Sequence, residues 1–162
     1  MPYKPSHVAN SFLYRAHQDG LSDIDALKIQ KLVYFFHGWY LANKNIAGVG
    51  ELFEAWPYGP VLSSLYHKFK IYGARPIEGY ASDLDPDTNE YRTLMIDSAD
   101  SEFSDVFDYV WNHYKNLTGL ALSKLTHAPG TPWRSARNRG SAYLSNDEIK
   151  TYFKHAKSPA VE

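Results

Sequence analysis

His127 has more chemical options than any other side chain in this sequence. It closes the run Leu122-Ser123-Lys124-Leu125-Thr126-His127 and precedes Ala128-Pro129-Gly130-Thr131-Pro132-Trp133. An imidazole titrates near neutrality, so general acid or base work is one reading. The other is a clamp, in which His127 and Thr126 bond free carbonyls or amides at a helix end while Trp133 packs beneath. A general base needs a nucleophile to serve. The chain contains no Cys and no Gly-x-Ser-x-Gly elbow, so a Ser, His and carboxylate would have to be assembled from distant segments. The clamp is favoured, and no catalytic residue is assigned.

Other chemistries find less support. The seven His residues stand at 7, 17, 37, 67, 113, 127 and 155 without a His-x-x-x-His or His-Glu-x-x-His unit. Helical metal ligands need that spacing to share a face, so no metal site is expected. Gly48-Val49-Gly50 is too short for a dinucleotide fingerprint or a phosphate loop, and no cofactor is expected. Asp83, Asp85 and Asp87 read as solvated carboxylates of a polar turn rather than calcium ligands, because the glycine and distal glutamate of a helix-loop-helix site are missing.

Two groups remain that suit recognition. Arg134, Arg137 and Arg139 follow Trp133 and form the one basic cluster. Arg134 and Arg137 are three apart and would share a helix face, where their planar guanidiniums could grip phosphates or a partner's carboxylates. Upstream, Phe53-Glu54-Ala55-Trp56-Pro57-Tyr58-Gly59-Pro60-Val61 places two large aromatics around Pro57 and ends in a Gly-Pro pair. Pro60 suits a first helical position, where a missing N–H costs nothing. The stretch reads as a rigid strand-to-helix corner, a recognition surface, or both.

The elements that must position these residues are mostly helical. Ser6 is placed to cap a first helix bearing Val8, Ala9, Phe12, Leu13 and Ala16. Ser22 or Asp23 opens a long helix to about Asn43, with Ile29, Leu32, Val33, Phe36 and Tyr40 on one face and Leu27, Tyr34 and Leu41 on another. A helix apolar on two sides belongs at the centre of its domain. Val61 to Tyr72 forms a third helix with Val61, Leu62, Leu65, Tyr66 and Phe69 inward, ended by Gly73. Residues 74–99 are the least helical and suggest a loop or small hairpin around the Asp-rich turn. Phe103, Val106, Phe107, Val110, Trp111 and Tyr114 recur at clean helical spacing. Thr118 caps a helix carrying Leu120, Ala121, Leu122 and Leu125; Pro132-Trp133 begins one or two further turns. Ser145-Asn146-Asp147-Glu148 has capping-box spacing ahead of Ile149, Tyr152 and Phe153.

The expectation is a mainly α fold: a compact single-domain bundle of about six helices with a small strand or hairpin element, spanning residues 1–157, with 158–162 a disordered tail. Phe36 and Trp111 belong to its core. At 162 residues, with 44% hydrophobic and 15% aromatic content, one well-filled core is readily supplied. A net charge of −1 gives no global attraction to nucleic acid or anionic membrane. The N-terminus lacks the apolar core of a signal peptide, and no run approaches ~18 apolar residues. The simplest localisation is cytoplasmic.

Three blocks in order carry a family resemblance. Leu27-Lys28-Ile29-Gln30-Lys31-Leu32-Val33-Tyr34-Phe35 resembles a first motif, and Phe53 to Val61 resembles a Trp-x-Tyr-Gly-Pro-Val motif. Leu122 to His127 with Pro132-Trp133 resembles a Leu-Ser-x-Leu-Thr-His…Pro-Trp motif. Together they are similar to the Panacea domain family of SocA-like antitoxins, often phage-associated, over about Ser6 to Phe153. The resemblance implies a non-enzymatic antitoxin that neutralises a neighbour-encoded protein toxin by direct binding. It also implies a proteolytic adaptor role with the ClpXP protease as partner. The chain leaves little length for an appended DNA-binding domain, so operon autoregulation through one is not expected; a phage-encoded nucleic-acid-binding regulator is the alternative.

The residues expected to matter are Trp56, Tyr58, Gly59, Pro60, Thr126, His127, Trp133 and Arg134. Trp56, Tyr58 and Pro60 would organise one end of the third helix, with Thr126, His127 and Trp133 forming a second fixed corner. Bracing is expected for Trp56, His127 and Trp133, and partner contact for Tyr58 and Arg134.

Overall fold

Helix α2, Ala26–Lys44, forms the axis around which the rest of the chain is arranged. In the computed structural model, which describes residues 2–156, every residue from Lys28 to Leu41 is buried. The Asp25 carboxylate, rather than Ser22 or Asp23, caps this helix by accepting the Lys28 N–H at 2.8 Å. Asn45 ends it in the left-handed conformation, a role for which its short polar side chain is suited. Around α2 pack α1 (Pro5–Gln18), α3 (Ser63–Phe69), α4 (Ser101–Tyr114), α5 (Gly119–His127) and α7 (Asn146–His155). A short α6, Pro132–Asn138, joins α5 to α7.

The described residues thus form seven α-helices and a 3-10 turn at Lys70–Tyr72, a mainly α fold of the expected class with one more helix than expected. Two hairpins of three-residue antiparallel strands interrupt it: β1 (Glu54–Trp56) with β2 (Gly59–Val61), and β3 (Asp83–Asp85) with β4 (Glu90–Arg92). The expected tail 158–162 and the domain end at 157 lie outside the described residues.

Apolar spacing translates directly into packing on α4, where Phe103, Val106, Phe107, Val110, Trp111 and Tyr114 are all buried. Phe103 stacks on Phe107 at 4.9 Å, and Phe35 of α2 stacks on Tyr114 at 4.3 Å. Phe36 and Trp111 are both core residues. The α2–α7 contact is closer than ordinary side chains permit: a Cβ on Gly38 would lie 2.2 Å from the Phe153 ring. Thr118 and Ser145 cap α5 and α7 as their spacing predicts.

Three local expectations need correction. Ser6 does not cap α1. Pro5 occupies the first turn, where its lost N–H is harmless, and the Ser6 hydroxyl is carried into the helix to donate to Asp83. The third helix begins at Ser63 rather than at Pro60 or Val61, because the backbone stays extended through Leu62 under side-chain bonds described below. Tyr66 is exposed instead of inward, and its ring packs on Trp56 at 4.9 Å. The small hairpin expected around the Asp-rich turn is present, built from Asp83–Asp85 and Glu90–Arg92.

Candidate functional site

The β1–β2 hairpin turns through the two residues Pro57 and Tyr58, with Trp56 opposite Gly59. Two-residue hairpins usually need a residue at positive φ to match strand twist, and the pyrrolidine ring forbids it at Pro57. The left-handed residue is Gly59 instead, at φ +113°. A Cβ there would lie 2.7 Å from Lys31 Cε and 2.8 Å from Thr126 Oγ1. The motif glycine is therefore required twice, by its backbone angle and by the closeness of α2 and α5.

Side chains from three helices capture the hairpin's backbone carbonyls one after another. Arg137 Nη1 donates to Ala55 O at 2.9 Å, and Trp133 Nε1 to Trp56 O at 2.7 Å. Ser123 Oγ donates to Tyr58 O at 3.0 Å, and Lys31 Nζ to Pro60 O at 3.0 Å. Gln30 binds both backbone groups of Leu62, donating to its carbonyl and accepting its N–H, each at 2.9 Å. This two-sided grip keeps Leu62 extended and delays α3. On the outer side the Glu51 carboxylate accepts from Ser64 and so satisfies the new helix start.

The α5–α6 connection is tied as tightly. Thr126 Oγ1 donates to Ser123 O at 2.7 Å, and Thr131 Oγ1 to Thr126 O at 2.7 Å. Arg134 donates through Nε and Nη2 to His127 O at 3.2 and 2.9 Å. The His127 ring stacks on Trp133, centroids 4.0 Å apart and planes 14° from parallel. The Arg134 and Arg137 guanidiniums lie 5.1 and 5.6 Å from the same indole.

Expectation placed Trp56, Tyr58 and Pro60 at one corner and Thr126, His127 and Trp133 at another. They are one corner. All eight expected site residues converge where the hairpin meets α5 and α6: Gly59 and Pro60 buried, Trp56 half-buried, Tyr58 67% exposed at the tip. Of the arginine cluster, Arg134 and Arg137 face this corner. Arg139 turns to Glu148 of α7, 3.1 Å away.

The corner's electrostatics are one-sided. Lys31 is fully buried with a carbonyl as its partner, and burial pushes its amine down to about 7. Burial also lowers the His127 imidazole, helped by the cations Arg134, Lys31 and Arg137; contact with the Tyr58 backbone opposes them. A neutral ring follows near pH 7. Its Nε2 is buried without a hydrogen-bond partner among the described residues, an arrangement that costs about 1–3 kcal/mol. Elsewhere on α2, His37 does similar work under different constraints. Its Nδ1 accepts the Val49 N–H and its Nε2–H donates to Asn146, while burial holds it down at about 4.

Gln30, Lys31 and Ser123 sit inside the blocks that carry the family resemblance, yet sequence spacing alone gives them no role. The available signal was a lysine and a glutamine within the apolar stretch of a helix buried on two sides, since such groups are rarely buried without partners. Among the described residues no three His, Asp or Glu side chains cluster as metal ligands, and no helix is long and apolar enough to cross a membrane. A groove of about 980 Å³, lined by Tyr34, Trp39, Leu125 and Tyr152 among others, shares Thr126, Thr131 and Pro132 with the corner but none of the hairpin.

Comparison with known proteins places this chain in a family. Residues 29–134 match the model of the "Antitoxin SocA-like, Panacea domain" family, and the matched segment contains both the hairpin and the α5–α6 connection. The chain is 30% identical over 126 residues to Antitoxin SocA of Caulobacter vibrioides (strain NA1000 / CB15N), covering 78% of this chain and 66% of the relative. It thus spans just under two thirds of that relative's length. No solved structure matches. The chain belongs to the SocA-like Panacea domain family of antitoxins.

Proposed function

We propose that this protein is the antitoxin of a toxin–antitoxin pair and neutralises a neighbour-encoded protein toxin by direct, non-covalent binding at the hairpin corner. Membership of an antitoxin family supports the role. The observation that carries the site is the exposed Tyr58 on a backbone whose carbonyls are held by buried or half-buried groups. A large amphipathic ring on a rigid support is a favourable binding anchor, because little conformational freedom remains to be lost. Trp56, Gly59, Pro60, Thr126, His127 and Trp133 brace the corner; Tyr58 and Arg134 present to the toxin. The family resemblance extends the proposal to delivery of bound toxin to the ClpXP protease. The geometry gives less support to a nucleic-acid role, since Arg139, the third arginine such a stripe would use, is committed to Glu148.

Co-expression with the adjacent reading frame is the test. The neighbour should arrest growth alone, and this protein should restore growth and co-purify with it. Tyr58→Ala should abolish rescue with the melting temperature unchanged. A toxic neighbour that is neither neutralised nor bound would overturn the antitoxin reading. Loss of toxin turnover in cells lacking ClpXP, with neutralisation intact, would support the adaptor step; unchanged turnover would remove it.

A further inference from the structure

We propose that Arg134, Arg137 and the Tyr58 ring form a receiving site for an acidic segment of the protein partner, a short stretch presenting aspartate or glutamate side chains. The inference rests on the binding role proposed above and names the chemistry of what is bound.

The chain as a whole is charge-balanced, with 17 basic and 18 acidic residues. Three arginines are matched to carboxylates, Arg15 to Asp108, Arg92 to Asp85 and Arg139 to Glu148, whereas the isolated Arg75 donates to the Ile71 carbonyl of its own turn. Arg134 and Arg137, on the short helix that Arg139 terminates, have no carboxylate partner among the described residues. Their bonded N–H groups go to the neutral carbonyls of His127 and Ala55. A carbonyl orients a guanidinium without cancelling its charge, and each guanidinium has five donors in a fixed fork. Arg134 keeps Nη1, and Arg137 keeps Nε and Nη2, for a further acceptor.

The one carboxylate of the hairpin, Glu54, is engaged by Trp56 Nε1 at 2.9 Å and pairs with neither guanidinium, though its charge offsets part of theirs. The fully buried Lys31 amine on the Pro60 carbonyl, held at about 7 by burial, adds only part of a charge. The corner is a local excess of positive charge held on rigid groups, both guanidiniums resting near one indole. Preorganised guanidiniums bind carboxylates with charge-assisted, often bidentate bonds, about twice as strong as neutral ones. Tyr58, 67% exposed at the tip of the hairpin whose Ala55 carbonyl holds Arg137, adds apolar area. The patch is too small for a nucleic-acid backbone, which is recognised by a basic stripe contacting many phosphates.

Two titrations test the inference. The first probe is a decaglutamate peptide, followed by NMR on side chains. Expected shifts fall on the Arg134 and Arg137 guanidiniums, the Trp133 indole and the Tyr58 ring. They should vanish in Arg137→Glu, persist in Arg139→Glu and be absent with decalysine. No shift, or shifts spread evenly over all cations including Arg139, overturns the site. The second probe is the purified neighbour protein. Arg137→Glu should weaken its binding about tenfold or more, with folding checked by thermal melt, while Arg139→Glu changes it little. Arg137→Gln should fall between. Equal losses for Arg137→Glu and Arg139→Glu, or none, overturn the inference while leaving neutralisation by the wild type, and hence the antitoxin reading, intact. A salt-sensitive oligonucleotide gel shift lost in Arg137→Glu, without any response to decaglutamate, also overturns it in favour of nucleic acid.

Discussion

The two hairpins have strands of equal length and the same pairing, yet the surrounding chain treats them in opposite ways. In β1–β2, helices α2, α5 and α6 reach into the strands and turn and take hold of backbone carbonyls at Ala55, Trp56, Tyr58 and Pro60. In β3–β4 the attachment is at the base and through side chains. Asn10 bonds the Ala81 backbone on both sides and reaches Leu94 O, and Asp83 accepts from Ser6 and pairs with Lys68 and Lys4. Beyond that base, Glu90, Tyr91 and Arg92 of β4 are all exposed. A hairpin this short has no independent stability, so its rigidity is whatever its neighbours impose. The first is clamped along its length, and the second is tethered.

The largest effect should come from the left-handed residue of each hairpin. Gly59→Ala combines a disfavoured φ with a collision against Lys31 and Thr126; backbone strain and overpacking each cost about 1–3 kcal/mol. Thermal melts should show a loss of roughly 2–5 kcal/mol, and toxin neutralisation should fall with it. Asn89, at φ +60° in the other turn, faces no such wall, so Asn89→Ala should cost about 1 kcal/mol and leave neutralisation unchanged. Equal losses at both positions would mean that the clamped hairpin is no more constrained than the tethered one.

The two ionic anchors should each make stability rise with pH, in two separate windows. Lys31 is held at about 7 by burial against an ordinary 10.5. Between those values the unfolded chain binds more protons than the folded one, so stability rises with pH across that window and is flat on either side. Lys31→Met should flatten the climb. Asp83 acts in the acid range, as a stabilising contribution lost on acidification rather than a penalty relieved on alkalinisation. Burial works against its ionisation, but the Ser6 hydroxyl, Lys68 and Lys4 outweigh burial and hold it below the ordinary 3.8. Its contribution is present above that value and is lost as pH falls through the folded-state pKa; Asp83→Asn should remove that part of the acid loss. Denaturant midpoints across pH would check both. A Lys31→Met protein with the wild-type alkaline slope would show that the buried amine is not the group titrating.

These anchors also mark what could be read from the sequence. The α4 face was legible because six apolar residues repeat with the helix period and a helix has one way to bury them. The central place of α2 followed from apolar stripes on two sides. The start of α3 was misread because Pro60 suits either a first helical turn or a strand, and the residue that decides is Gln30, 32 positions from its Leu62 partner. Joining two expected corners into one depends on Trp133 reaching Trp56 O across 77 positions, a meeting for which local periodicity has no signal. The motif residues were visible as unusual. What they grip is a property of the fold.

The smallest change in stability gives the sharpest functional contrast. Tyr58 and Tyr91 are the exposed tyrosines of the two hairpins, at 67% and 72%, and neither side chain has core packing to lose. Surface substitutions of this kind usually stay within about 0.5 kcal/mol, so Tyr58→Ala and Tyr91→Ala should melt with the wild type. If exposure alone made a binding residue, the two should matter equally to a partner. They differ in support: the Tyr58 carbonyl is held by Ser123 and its neighbours by Trp133 and Lys31, whereas β4 offers Tyr91 an exposed backbone. An anchor on the clamped hairpin loses less freedom on binding, and only that hairpin takes an arginine, Arg137, on its backbone. Tyr58→Ala should therefore lose neutralisation and Tyr91→Ala keep it, scored by growth rescue and co-purification of the same neighbour protein. Loss confined to Tyr91→Ala would move the contact surface to the tethered hairpin and leave the clamped corner with a bracing role alone.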